Sequence, residues 1–306
     1  MGKEKEEIYS KIDEIPSGNK KGPVANACLV LEGGAMRGMY TEGVLDCLLE
    51  EDLYFGCVIG TSAGALNGLN YAAGHLGRAA RMNLKYRHDS RYIGRRAYKN
   101  NRGFIGFDFM YKDYNEIEPW DQKWFNRPQQ RFVAVVTNCH TGKTEYIEKG
   151  KCKDILLATQ ASASMPFVSK MVEMNGQMYL DGGCSCKVPY RWALHEKYKK
   201  IIVVRTRAKD YRKKMPTKME TRLTYGVYRK YPKFAETLYH CNAKYNHQCD
   251  ELLQLEKEGR IFVVEPSEPV TIGRLEKDVE KLGALYQLGK RDMKANLSAL
   301  RGYLAK

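Results

Sequence analysis

No run of apolar residues in the 306-residue sequence approaches the about 18 needed to cross a bilayer as a helix. The nine cysteines are odd in number and scattered, without a C-x-x-C pair, so neither a disulfide framework nor a zinc ribbon is indicated. Cys184 and Cys186, the one close pair, read as small buried apolar residues. The dinucleotide pattern G-x-G-x-x-G is missing, as is a phosphate loop ending in Lys-Ser/Thr. There is no internal repeat and no low-complexity tract. The first 22 residues alternate Lys with Glu and contain no apolar core of a signal peptide, so they are expected to form a polar, partly disordered leader in a cytoplasmic protein.

What the sequence has in excess is positive charge, 51 Lys+Arg against 36 Asp+Glu, a formal net charge of +15. Such a balance favours polyanions, either nucleic acid or an anionic lipid surface. The charge is clustered. Arg78–Arg102 holds nine basic residues against the single acid Asp89, and a second basic stretch runs from Lys199 to Lys233. Hydrophobic content of 43% leaves ample material for a core.

Strand-length apolar runs alternate with helical patterns from Val24 onward. The spacing predicts strands at Val24–Leu31, Arg131–Thr137, Thr144–Glu148, Gln177–Leu180, Ile201–Arg205 and Ile261–Glu265, and helices at Met39–Glu50, Ala63–Ala73, Leu76–Tyr86, Asp154–Ser164 and Lys233–Glu258. This is the pattern of one three-layer α/β/α domain over residues 23–306 with a mostly parallel central sheet. An aromatic and basic insert occupies about residues 90–130, and helical segments close the chain at about 273–305. Interleaved aromatic and basic residues could stack on nucleic acid, sit at a lipid interface or wall a substrate channel; a substrate-facing cap is the favoured reading.

Three stretches carry chemistry. Gly60-Thr61-Ser62-Ala63-Gly64 follows the short apolar run Cys57-Val58-Ile59 and opens a helix of small residues. A serine between two glycines at a strand-to-helix bend is the form of a nucleophile elbow, which holds the hydroxyl exposed in a strained backbone. The five-residue pattern alone arises by chance about one time in ten in a chain of this length. The second stretch, Gly33-Gly34-Ala35-Met36-Arg37-Gly38, turns from strand to helix and points backbone amides at an anion. It suits either a phosphate cradle or an oxyanion hole; the missing nucleotide motifs favour the latter, with Gly33, Gly34 and Ala35 as donors and Arg37 as a nearby charge. In the third, Asp181-Gly182-Gly183, a carboxylate stands at a strand end before a glycine turn, where open α/β sheets place polar chemistry.

Ser62 requires a base. A Ser–acid–His triad would have to use His195, His240 or His247, none of which stands in a glycine-flanked strand-end setting. Asp181 does, and partial desolvation would raise its basicity. In this order and spacing the G-G-A-M-R-G, G-T-S-A-G and D-G-G motifs resemble the patatin-like phospholipases, bacterial branch, over about Val24 to Arg205, including Ala161–Phe167 (A-S-A-S-M-P-F) before the aspartate. The resemblance implies Ser62 as nucleophile, Asp181 as base, and Gly33, Gly34, Ala35 and Gly38 in the oxyanion loop, with Arg37, Gly60, Gly64, Gly182 and Gly183 as supporting motif. It implies acyl-ester hydrolysis on phospholipid or a similar substrate without metal or cofactor; the basic face would then make peripheral contact with an anionic membrane surface, and no nucleic-acid partner is expected. Two departures stand out. Ala35 replaces a third glycine, and Lys187 stands where a smaller polar residue is expected before Pro189. The rivals are a histidine-containing hydrolase triad and a non-catalytic basic protein that binds lipid or nucleic acid.

Overall fold

The fold was analysed in a computed structural model that describes residues 7–101 and 103–306. Eight strands make the central sheet: β1 (Ala25–Leu31), β2 (Phe55–Thr61), β3 (Arg131–Asn138), β4 (Thr144–Glu148), β5 (Val172–Met174), β6 (Gln177–Asp181), β7 (Ile201–Val204) and β8 (Phe262–Val264). The pairs β8–β7, β7–β1, β1–β2 and β2–β3 are parallel; β4 and β6 run antiparallel to β3, and β5 antiparallel to β6.

Around the sheet lie α1 (Gly38–Glu50), α2 (Ala63–Ala72), α3 (Arg78–Tyr86), α4 (Ile155–Ser162), α5 (Tyr190–His195), α6 (Lys218–Val227), α7 (Pro232–Lys257) and α8 (Val279–Ala305). Successive strand residues point to opposite faces, which divides the core in two. Leu29, Leu31, Val58, Phe132, Ala134 and Ile202 pack beneath α1, α2 and α8. Cys28, Val30, Cys57, Ile59, Val133 and Val203 pack beneath α5 and α7. The expected α/β/α sandwich is therefore present. The two long C-terminal helices, α7 and α8, cover opposite faces of one sheet.

Most predicted elements lie within two residues of their expected bounds. The helix expected from Leu76 begins at Arg78, because Gly77 in the left-handed region (φ 70°) turns the chain there. The segments expected over Gly273–Ala305 form one helix from Val279, capped by Asp278, whose carboxylate accepts from the Glu280 and Lys281 amides. Residues 273–278 form a non-helical strap with a turn at Arg274–Leu275. Strand β5 and helix α6 were not anticipated. Three residues are too few to show alternation, and α6 carries its apolar side chains on the side that does not pack.

The polar leader makes contacts that its composition did not suggest. Its residues 1–6 lie outside the described residues, but the chain from Tyr9 is anchored at points, with most of its residues exposed. Tyr9 and Ile15 are buried in the first core, and Gly18–Asn19 pairs antiparallel with His75–Leu76. One apolar residue every few positions was enough to dock a stretch that its overall composition marked as solvent-loving.

Candidate active site

The register of β3 places the serine and the aspartate. On one edge Val133–Thr137 pair with β4; on the opposite edge Arg131–Val135 pair with β2, and from Val136 onward that edge belongs to β6. Thr61 sits opposite Val135 and Asp181 opposite Val136. Strands β2 and β6 therefore approach head to head along β3. The residue after one strand meets the last residue of the other.

At that junction the Ser62 hydroxyl donates to Asp181 Oδ2 at 2.6 Å. Both side chains are buried. Ser62 occupies φ 57°, ψ −125°, a conformation costing on the order of 1–3 kcal/mol. Surrounding bonds hold it there: its amide donates to Ser162 Oγ at 2.9 Å, and its carbonyl accepts from Ala65 at 2.9 Å in the first turn of α2. The flanking glycines are required by close approach, not by dihedral angle. A Cβ on Gly60 would lie 2.4 Å from the Gly64 carbonyl oxygen, and one on Gly64 would lie 2.6 Å from that of Leu31.

Asp181 is fixed as firmly. Its Oδ1 accepts from the Gly183 amide at 2.7 Å, its own amide donates to the Ser164 carbonyl at 2.9 Å, and its carbonyl accepts from Thr137 Oγ1 at 2.9 Å. Gly182 lies against the Val135 carbonyl, with no room for a side chain. Burial pushes the Asp181 carboxyl above the ordinary carboxylate range, against the opposing pull of the Ser62 hydroxyl, the Gly183 amide, and the charges of Lys187 and Arg274.

The glycine-rich loop lies over the hydroxyl. A Cβ on Gly33 would come within 3.1 Å of Ser62 Cβ, and one on Gly38 within 3.0 Å of Ala63 Cβ. The Gly33 amide is already engaged, donating to the Lys187 carbonyl at 3.2 Å, whereas among the described residues the amides of Gly34 and Ala35 donate to no protein acceptor. The Gly38 amide turns back onto the Ala35 and Met36 carbonyls. Ala35 has φ 50°, which explains why a glycine is comfortable at this position.

Ser62 opens into two cavities. One, of about 660 Å³, is walled largely by apolar side chains, among them Met39, Leu66, Met82, Ile93, Ile105 and Met110. Ile93, Ile105 and Met110 come from the aromatic insert, so the expected cap is brought to the site. Four of the insert's large rings pack together: Tyr92, Phe107, Phe109 and Tyr114 are buried in a small core of their own, while Tyr98 and Phe104 stay exposed. The other cavity, of about 580 Å³, runs past Asp181 and Gly34 and is lined by four cations, Arg37, Lys187, Lys213 and Arg274. Arg37 is 5% exposed, and among the described residues its Nε has no hydrogen-bond partner. Burial, reinforced by Lys187 and Arg274, lowers Lys213 to about 7; burial together with Arg207 lowers Arg37 to about 10. None of the six histidines lines either cavity. Among the described residues no group of three His, Cys, Asp or Glu side chains is placed to hold a metal ion.

With this geometry in place, comparison with known proteins is direct. The sequence profile described as patatin-like phospholipase matches residues 29–194, more than half of the chain. The chain belongs to the patatin-like phospholipase family. A second profile, a domain of unknown function (DUF6363), matches residues 231–305, which in this patatin-like chain are chiefly α7 and α8. An uncharacterized protein of Escherichia coli (strain K12), YjjU, is 25% identical over 185 residues, 58% of this chain and 51% of that protein. The chain thus spans about half the length of that curated relative. Among solved structures, VipD from Legionella pneumophila aligns with a TM-score of 0.48 at 11% identity, covering 98% of this chain and 72% of that one. The type III effector protein ExoU aligns at 0.43 and 10%, covering 93% and 54%.

Sequence reading missed several contributors. Ser162 supports the elbow from a segment noted only for its motif. Lys213 lay unmarked within the second basic stretch, and Arg274, from the strap before α8, had no local signal.

Proposed function

We propose that this protein is a lipid acyl hydrolase working through a Ser62–Asp181 dyad, without a histidine. The observation that carries the reading is the 2.6 Å hydrogen bond between the two side chains at the meeting point of an apolar and a cationic cavity. Ser62 Oγ attacks the ester carbonyl while Asp181 Oδ2 takes its proton. The tetrahedral oxyanion forms beside the Gly34 and Ala35 amides, where preorganised donors contribute most. The alkoxide leaving group departs with the proton from Asp181. Water, deprotonated by the same carboxylate, then cleaves the acyl-enzyme and restores the hydroxyl.

The cavities support a substrate class. The apolar one suits a fatty-acyl chain. The cationic one suits an anionic phosphate, since Arg37, Lys187 and Arg274, joined by Lys213 below about pH 7, face a single carboxylate, and among the described residues Arg37 Nε has no hydrogen-bond partner. A phospholipid or lysophospholipid satisfies both.

The test is a p-nitrophenyl butyrate assay with a fluorophosphonate probe. Ser62→Ala and Asp181→Asn each lose about a thousandfold or more in kcat, and the probe labels Ser62. Near-wild-type turnover by either variant, with the fold intact, overturns the dyad. A collapse of activity on replacing any one histidine would restore the triad.

A further inference from the structure

Helix α6 is built inside out. Spacing of three to four residues puts Thr221, Thr224 and Tyr228 on one side, and that side packs, with Thr224 and Tyr228 buried. Met219, Leu223 and Val227, at intervals of four, occupy the outer side and are 80%, 56% and 52% exposed. Met215, just before the helix, is exposed as well. In an ordinary surface helix these positions would be polar and the threonines apolar. The helix is deliberately secured nonetheless: Thr217 and Glu220 form a reciprocal capping box at its start.

Its flanks are basic. Lys214, Lys218, Arg222, Arg229, Lys230 and Lys233 surround the stripe, with Glu220 the only acid between Tyr211 and Lys233. Among the described residues none of these six forms an ion pair. The first basic cluster behaves differently. There Arg78 hydrogen-bonds Asn70 and the Glu118 carbonyl, Arg81 pairs with Glu118, Arg87 donates to the carbonyls of Leu275 and Glu276, and Arg91 pairs with Asp89. Those four work within the fold, while Lys85, Arg95, Arg96 and Lys99 of the same cluster are exposed. In the second stretch Arg205, Lys209 and Arg212 are likewise engaged, each in an ion pair, and the six around α6 face outward together.

The end of α6 reaches the catalytic mouth. Tyr228 Oη accepts from the Phe167 amide at 2.8 Å, and the two rings lie 5.3 Å apart. Phe167 is itself 48% exposed and follows Met165 and Pro166, which line the cationic cavity. Lys213, four residues before the helix-capping Thr217, lines it too.

We infer that α6 is an interfacial docking helix. Met219, Leu223 and Val227 enter the acyl boundary of an anionic phospholipid surface, the flanking lysines and arginines contact its headgroups, and the mouth beside Phe167 is thereby held against the membrane. Apolar contact combined with attraction to anionic lipid is what stabilises such helices. The purpose of this docking rests on the lipid-hydrolase reading, but the binding is measured without turnover.

The experiment uses the full chain carrying Ser62→Ala, so that lipids stay intact, and vesicles of phosphatidylcholine and phosphatidylglycerol at two to one. The protein floats with these vesicles and not with pure phosphatidylcholine. Met219→Asp with Leu223→Asp weakens binding about tenfold or more, and Lys218→Glu with Arg222→Glu does the same at low salt. On the Ser62 background, the same pairs lower vesicle-lipid hydrolysis while leaving p-nitrophenyl butyrate turnover and the melting temperature unchanged. Equal vesicle binding by wild type and variants overturns the inference. So does a concentration-dependent dimer that the Met219→Asp, Leu223→Asp pair abolishes, which would assign the stripe to a second copy of the chain. Vesicle binding without ester turnover would sink the hydrolase reading alone; ester turnover without vesicle binding would sink the docking helix alone.

Discussion

Ser62 and Asp181 are 119 residues apart in sequence and 2.6 Å apart in space because two strands of opposite direction share one edge of β3. The parallel strand delivers the serine just past its end, and the antiparallel one delivers the aspartate at its own end. A register slip of one residue in β6 would turn Asp181 to the other face of the sheet.

Under the proposed dyad, the buried Asp181 carboxyl sets the acid limit of activity. It acts as a base only when ionised, and burial holds its pKa above the usual carboxylate range. The activity present at neutral pH is therefore lost as pH falls through this raised value. The acid limb of kcat/KM against pH for p-nitrophenyl butyrate lies above the ordinary aspartate range near 3.9. A limb at or below that value contradicts the burial argument.

Lys213 gives an alkaline limit that depends on substrate. Burial beside Lys187 and Arg274 brings it down to about 7, so its positive charge is present below that pH and lost above it. KM for phosphatidylglycerol then rises as pH passes 7, and Lys213→Met raises it about tenfold at pH 6. KM for the neutral butyrate ester stays flat in both comparisons.

Ser162 is a positioning residue. Its hydroxyl oxygen accepts from the amide of the strained Ser62, and Ser162→Ala leaves that amide without its acceptor, a cost of about 1–3 kcal/mol. The expected outcome is slower fluorophosphonate labelling and a kcat lower by about tenfold, with KM little changed. Ser162→Cys keeps a weak acceptor and recovers part of the rate. A uniform loss of stability with unchanged labelling would reduce Ser162 to packing alone.

The crossing of α1 and α8 governs stability. A Cβ on Gly43 would lie 2.0 Å from the Tyr286 carbonyl oxygen, and one on Gly289 would lie 2.1 Å from that of Tyr40. Gly43→Ala forces the helices apart at a cost of about 3 kcal/mol. The melting temperature falls by roughly 5–10 °C, while an exposed control, Gly302→Ala, leaves it within a degree or two.

The sequence by itself determined the local chemistry. Apolar runs of strand length, the glycine pairs around Ser62 and the glycine turn after Asp181 encode backbone paths that only a few conformations satisfy, so β1, β2, β6 and the elbow were legible from short windows. The lack of a histidine in such a setting was legible too. Tertiary structure decided what depends on long-range pairing. It joined Ser62 to Asp181 through β3, committed the Gly33 amide to Lys187, and gathered Arg37, Lys187, Lys213 and Arg274 from four separate segments into one cavity. It also divided each basic cluster, turning Arg78, Arg81, Arg87 and Arg205 inward to acids and carbonyls and leaving Lys218, Arg222, Arg229 and Lys230 exposed around α6. The physical reason is the same in each case. A backbone turn is specified by its own few residues, whereas the partner of a charge or an amide depends on which distant segment the folded core brings beside it.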